Sequence, residues 1–249
     1  KKFGLKVLVT ITDSQHAIGE LEQLFSSSLI RGAVIFGLES GSEGFERINS
    51  CGYPVVLVNQ EEQSPSPNIS LVNMDDQKCA YDTVMRLVDE GHTRLMYIGS
   101  SLKRLPALRR QWGVNQALED LHGEDVTCIL GNADFKEDLA YEYVHTYFSE
   151  HEEHPTAIIA ANDLTAIGAI NALKALRIKV PDQVSVIGFD DIAVSAYFSP
   201  PITTFRADYE LMAQQTIKEL VALIDGDHTG SVIEIPMEMV ERNSVKALV

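Results

Sequence analysis

The stretch Ala157-Ile158-Ile159-Ala160-Ala161-Asn162-Asp163-Leu164-Thr165-Ala166-Ile167-Gly168-Ala169-Ile170, followed by Ser185-Val186-Ile187-Gly188-Phe189-Asp190, reads as strand, helix and strand. Residues 157–160 form a continuous apolar run of strand length, bounded by polar residues. From Asp163 onward, Leu164, Ile167, Ile170, Leu173 and Leu176 recur three apart with Ala166 and Ala169 between them, which makes one apolar helix face. Asn162 and Asp163 are natural caps for its first turn. Pro181 and Asp182 end the connection before the apolar run at 185–189. Apolar strands alternating with amphipathic helices predict a parallel sheet covered on both faces.

The same alternation extends in both directions. Strands are expected at 5–11, 32–37, 54–58, 69–72, 95–99 and 127–130, and helices at 17–27, 44–50, 75–90, 106–122 and 136–150, with a Pro/Ser loop at 61–67. The fold class is α/β. Open sheets of this kind hold ligands at the carboxyl ends of their strands. That rule selects Asn59, Gln60, residues 100–104, Phe135, Asn162 and Asp190 as the places to look for chemistry.

Composition narrows the function classes. The chain has 249 residues, enough for one large or two ordinary domains, and is 45% hydrophobic and 22% charged. Its 36 acidic against 20 basic residues leave a formal charge of −16, a field that repels phosphate backbones, so this chain alone is not expected to bind nucleic acid. Cys51, Cys79 and Cys128 are odd in number and far apart, which reads as buried free thiols of a reducing compartment. His16, His92, His122, His151 and His154 have no ligand spacing with them, so no metal is expected. No apolar run approaches a membrane span of about 18 residues. No Ser-His-Asp set, paired-carboxylate motif or Gly-rich phosphate loop is present, so neither catalysis nor a cofactor is expected.

Among the strand-end residues, Arg110 and Asp190 carry the most chemistry. The Arg110 guanidinium is a rigid fork of donors suited to neighbouring hydroxyls or a carboxylate, although it also lies in a basic cluster with Lys103, Arg104 and Arg109 and can be read as a surface residue. Asp190, directly after Gly188-Phe189, can accept from two hydroxyls or cap the segment that follows. Asn162 is either a bare helix cap or a cap that also meets a ligand. Phe135, in the loop Asp134-Phe135-Lys136-Glu137, is either a core ring or a stacking face.

Three ordered blocks carry a family resemblance: residues 160–169 (AANDLTAIGA), residues 178–191 (IKVPDQVSVIGFDD) and residues 197–204 (YFSPPITT). Together with Gly91-His92, the Arg110/Gly113 pair and the closing Val240-Glu241-Arg242-Asn243-Ser244, they resemble the effector-binding domain of LacI/GalR-type transcriptional regulators over essentially the whole chain.

The resemblance implies a two-lobed, periplasmic-binding-protein-like fold, each lobe a parallel sheet flanked by helices, with three crossings near Ser100, Thr203 and Thr229. The lobes would be residues 1–100 with 204–228, and 101–203 with 229–249. It implies that Arg110, Asn162 and Asp190 are polar ligands for sugar hydroxyls, that Phe135 is a cleft aromatic, and that Asn59 and Gln60 stand where many members have Asp and Arg. Arg104 matches a basic cleft residue of the purine-binding member, and Ala207 stands where Gln is frequent. The chain opens at what resembles the family's second strand, so the first strand and helix and the DNA-reading headpiece are expected upstream. The expected partners are a small-molecule effector, a sugar or sugar phosphate, and a second copy in a homodimer. DNA would be reached only through the headpiece, in the cytoplasm and with no membrane role. The alternative is a secreted sugar-binding protein of a transport system, which an upstream signal peptide would distinguish from an upstream helix-turn-helix.

Overall fold

The structure is a computed structural model that describes residues 6–12, 16–37, 44–60, 66–102, 104–227 and 229–249. In chain order the elements are α1 (Ala17–Ser26), β1 (Ala33–Phe36), α2 (Gly44–Cys51), β2 (Val55–Val58), β3 (Ile69–Met74), α3 (Asp76–Asp89), β4 (Arg94–Gly99), α4 (Leu105–Asp120) and β5 (Thr127–Asn132). Next come α5 (Glu137–Glu150), β6 (Ala157–Ala160), α6 (Asp163–Ala175), β7 (Ser185–Ile187), β8 (Thr204–Ala207), α7 (Tyr209–Asp225), β9 (Val232–Ile235) and β10 (Met237–Val240). A short 3-10 turn, Ala193–Ala196, lies between β7 and β8.

Two four-stranded sheets result, β1-β2-β3-β9 and β5-β4-β6-β7, and every pairing in both is parallel. A two-stranded antiparallel ladder, β8 with β10, runs beside them. The continuous apolar runs of the sequence are the strands buried on both faces. In β4, Met96 and Ile98 face a cluster with Val144, Ile158, Ile170 and Val186, while Leu95 and Tyr97 face one with Val114, Ala117, Ile159 and Phe189.

The helices cover the sheets in an order that the chain order does not predict. Although α3 follows β3 of the first sheet, its buried Cys79, Ala80, Val84 and Leu87 pack into the second sheet's cluster with Leu95 and Ile159. Conversely α7 follows β8, and its Leu220 and Leu223 pack on Val56, Val72 and Ile235 of the first sheet. Two close helix pairs clamp the second sheet. A Cβ on Gly113 of α4 would run into the Gln77 carbonyl of α3, and a Cβ on Gly168 of α6 would run into the Glu137 carbonyl of α5, so each glycine lets two helix backbones touch.

Three features differ from the sequence expectations. The strand expected at 5–11 is absent among the described residues. Residues 6–12 have no ladder partner, and Val9 and Ile11 stand 79% and 99% exposed, because a β-branched run without a neighbour to bond its amides gains nothing from extension. Cys51 is exposed rather than buried, while Cys79 is buried and Cys128 partly so, with burial pushing both thiols up to about 12. The elements β8, α7, β9 and β10 have no counterpart in the strand-and-helix reading. Their strands are four residues long with charged Arg206, Glu234 and Glu238 interleaved, and the buried face of α7 includes the polar Thr216 and Glu219, which blurs the helical period. Residues 61–65 of the expected loop, Lys103 and residues 1–5 lie outside the described residues.

Candidate functional site

Arg110 is the centre of the site. It sits one turn into α4, is 3% exposed, and its guanidinium is held from three sides. Its Nε donates to Asp76 Oδ1 at 2.7 Å, its Nη2 donates to Asp190 Oδ1 at 3.1 Å, and its Nη1 donates to the Ala161 carbonyl. The plane also lies over the Phe189 ring, 4.5 Å from the centroid. A buried guanidinium loses its hydration, and the two carboxylates replace it. Arg110 is therefore a fixed, permanently charged anchor, not a surface cation.

Asp190 follows β7 in the left-handed region, φ 100°, with its amide donating to the Phe205 carbonyl at 2.9 Å. That geometry turns the side chain out of the sheet, where it is 34% exposed. One carboxylate oxygen meets Arg110, and the other has no partner among the described residues. An oriented carboxylate with an open edge accepts hydroxyl or amine donors.

Asn162 is the cap of α6: its Oδ1 accepts from the Thr165 amide at 2.9 Å, which leaves its amide nitrogen as the group available for a ligand. Asp163, expected only as a cap, is instead fully buried and holds the layer beneath the site. It accepts from Ser195 Oγ at 2.6 Å, Thr204 Oγ1 at 2.5 Å and the Ile192 amide at 2.9 Å. Burial outweighs these bonds and pushes its carboxyl up to about 6. The adjacent Asp191 shows the opposite balance. Burial opposes its charge, but Arg242 and Arg206, at 2.5 and 2.6 Å, hold its carboxyl below the usual range.

The remaining expected residues divide into two groups. Phe135, at φ 59°, is half-buried and packs against the same cluster as Tyr97 and Phe189, so one part of its ring is core and another is open. Asn59 and Gln60 leave β2 at its carboxyl end. Asn59 Oδ1 accepts from the Met74 amide at 3.2 Å, and the Gln60 backbone exchanges two hydrogen bonds with the Asn73 side chain at 2.9 and 3.0 Å. Both are tied to the end of β3, two to three residues before Asp76. Arg104 is the cap residue before α4; it is exposed, its carbonyl accepts from the Leu108 amide at 3.1 Å, and its side chain has no bonded partner among the described residues.

Two residues of the site were missed in the sequence. Asp76, 1% exposed, follows directly on β3, and the strand-end rule that selected Asn59 would have found it. Burial pushes its carboxyl up against the pull of Arg110. Tyr209, the first residue of α7, is half-exposed. Its hydroxyl is pushed up by burial and by the charge of Asp190.

Among the described residues, no cluster of His, Cys, Asp and Glu has the arrangement of a metal site, and no helix is long and apolar enough to cross a membrane.

Comparison with known proteins agrees with this architecture. Residues 84–245 match the family of periplasmic binding protein-like domains. An HTH-type transcriptional repressor PurR from Mannheimia succiniciproducens is 28% identical over 248 residues, spanning 99% of this chain and 73% of that protein. Among solved structures, a lac repressor dimer bound to operator and the anti-inducer ONPF superposes with a TM-score of 0.85 at 21% identity, covering 99% of this chain and 85% of the other. A sugar-binding transcriptional regulator of the LacI family from Escherichia coli, complexed with phosphate, does so with a TM-score of 0.82 at 24% identity, over 94% and 83% of the two chains. The chain belongs to the periplasmic binding protein-like family, as an effector-binding domain of the LacI/GalR regulator type.

Proposed function

We propose that this domain senses a small, uncharged, hydroxyl-rich effector, a sugar or close derivative, and passes its occupancy to a DNA-reading headpiece in a cytoplasmic homodimer. The observation that carries the reading is the Arg110–Asp190 pair with one carboxylate edge open. Around that edge Asn162 offers donors, Phe135 a partly open ring and Tyr209 a hydroxyl. Arg110 is shared between Asp76 and Asp190, so the immediate balance is negative by one charge. A phosphate group there would face an uncompensated carboxylate, and Arg104, the cation expected for an anionic effector, makes no bond to Arg110, Asp76 or Asp190.

The two sheets act as the cores of two lobes. The packing supports crossings between β3 and α3, between β8 and α7, and between β9 and β10, earlier than Ser100 and later than Thr203 and Thr229. Asn59 and Gln60 belong to one lobe, Arg110, Phe135, Asn162 and Asp190 to the other. An effector that touches both favours the closed arrangement, and only its differential affinity can shift the population; about 5.5 kcal/mol moves it from 1:99 to 99:1. Neutral hydrogen bonds made only on closure, at about 0.5–1.5 kcal/mol each, supply that together with the apolar surface buried between the lobes.

The test is a thermal-shift screen of free sugars and their phosphates against the purified domain, with calorimetry on the hits. An uncharged sugar that raises the melting temperature in the native domain and loses its heat of binding in Asp190→Ala bears out the reading. A preference for phosphorylated sugars, or affinity unchanged in Asp190→Ala, sinks it.

A further inference from the structure

At the far end of α6 from Asn162 and Asp163, the chain leaves the helix through a loop that gathers cations. Lys174 lies in the last turn, Arg177 follows the cap with φ 61°, and Lys179 comes two residues later. With Ile178, Val180, Asp182, Ser199 and Pro200 they line a pocket of about 410 Å³, near the lower end of the range for small-molecule sites. None of the three cations makes an ion pair among the described residues. Lys174 Nζ lies 4.7 Å from the centre of the Phe198 ring, and the only carboxylate of the lining, Asp182, is taken by Lys246 at 3.2 Å. The Ser199 hydroxyl has no bonded partner among the described residues.

Cations after a helix have an ordinary explanation, since they complement the negative end of the helix dipole. That end is equivalent to roughly half an elementary charge. It accounts for one cation, not for three that line one pocket. The surplus is the more telling in a chain whose formal charge is −16. An anion seated among them would gain charge-assisted bonds.

We propose that this pocket is a second ligand site, separate from the effector site, which takes a small phosphorylated compound with at least two negative charges. Lys174, Arg177 and Lys179 bind its oxygens, Ser199 donates a further bond, and Ile178, Val180 and Pro200 form the apolar wall. The site lies a full helix of 13 residues, about 20 Å, from Asn162, so the two sites can be altered independently.

Pyrophosphate is the probe, titrated calorimetrically into the whole 249-residue chain with sodium chloride holding the ionic strength constant. We expect saturable one-to-one binding that weakens at least about tenfold in the triple variant Lys174→Ala/Arg177→Ala/Lys179→Ala and is unchanged in Asp190→Ala. The double variant Lys174→Gln/Lys179→Gln, which leaves the loop residue Arg177 in place, is expected to show an intermediate loss. Absence of saturable heat up to about 10 mM overturns the proposal, as does affinity that survives in both surface variants. Loss in Asp190→Ala with retention in the triple variant also overturns it, by moving the anion to the effector site.

Discussion

The first and second sheets have the same number of strands, the same parallel pairing and buried inner strands, yet their edges differ. In the second, Leu95, Met96, Tyr97 and Ile98 of β4 and all four residues of β6 are wholly buried, with clamped helix pairs on either face. In the first, β2 and β3 are equally buried, but both edges, β1 with Phe36 64% exposed and β9 with Val232 58% exposed, are half covered. In the second only β5, with Leu130 53% exposed, is half covered, since β7 is buried. The ionic parts of the site follow that division. Arg110, Asp163 and Asp190 stand on the second sheet and its helices, where a rigid scaffold fixes their geometry. The first sheet contributes amides, Asn59, Gln60 and Asn73, bonded among themselves at the strand ends. In the proposed site, one half is an oriented charge and the other a hydrogen-bonded polar rim.

The largest test of this contrast falls on Asp76, which follows β3 of the first sheet and begins a helix packed on the second. Asp76→Ala leaves the Arg110 charge buried with only the half-open Asp190 and one carbonyl for company. A loss of about 3–5 kcal/mol is expected in denaturant unfolding, while Asp76→Asn, which keeps the shape and one acceptor, should cost less. Equal and small losses in both would mean that the guanidinium hydrates readily and that the second half of the site is not rigid.

Next in size is a matched pair of cavities. Ile159→Ala in β6, fully buried between two helix layers, should cost about 2–5 kcal/mol. Ile35→Ala in the half-covered β1 should cost well under half as much, because its surroundings can collapse and part of the side chain is already wet. Similar losses at the two positions would break the comparison.

Most of the second sheet was legible in the sequence because its strands are short, uninterrupted apolar runs. Of the helices over it, however, only α3 and α6 have a side-chain cap, Asp75 and Asn162, and α6 is buried on nearly every side while Leu164 of its expected apolar face is 41% exposed. Asn162 and Asp190 were proposed from the strand-end rule and the family blocks, and Arg110 from its guanidinium chemistry and the Arg110/Gly113 pair; the structure bonds Arg110 to Asp190. What local sequence does not carry is which sheet a helix covers: α3 and α7 each pack across from the strand they follow, a consequence of tertiary packing alone. Asp76 escaped notice for a related reason, since as the first residue of a capped helix it looks like a dipole partner until Arg110 arrives from 34 residues away. Asp163 escaped because one residue type serves caps and buried networks alike. The apolar run at 5–11 shows the converse, a strand pattern whose expression depends on a neighbour.

The smallest expected effect separates the two adjacent carboxylate layers of the second region by pH. Asp163 has a folded-state pKa raised to about 6, above its ordinary value of 3.8, so the folded chain holds that proton more tightly than the unfolded one. Its contribution to stability is therefore complete below about pH 4 and is lost as pH rises through about 6. Asp191 has the opposite sign: its pKa is lowered by Arg242 and Arg206, so its contribution is present above the ordinary carboxylate range and is lost as pH falls below it. Between about pH 5 and 6 Asp163 should lower stability by about 1 kcal/mol. Asp76, also raised by burial, adds the same sign and His92, lowered by burial, the opposite, so the Asp163 part is read as the difference between the native chain and Asp163→Asn. Asp163→Asn should be less stable overall, since an amide cannot accept from Ser195, Thr204 and Ile192 together. It should also lack that part of the slope, whereas Asp191→Asn should keep it. Unfolding free energies measured at several pH values in the three proteins check the assignment; a slope undiminished in Asp163→Asn would place the titrating group elsewhere and leave the layer beneath the site permanently ionised.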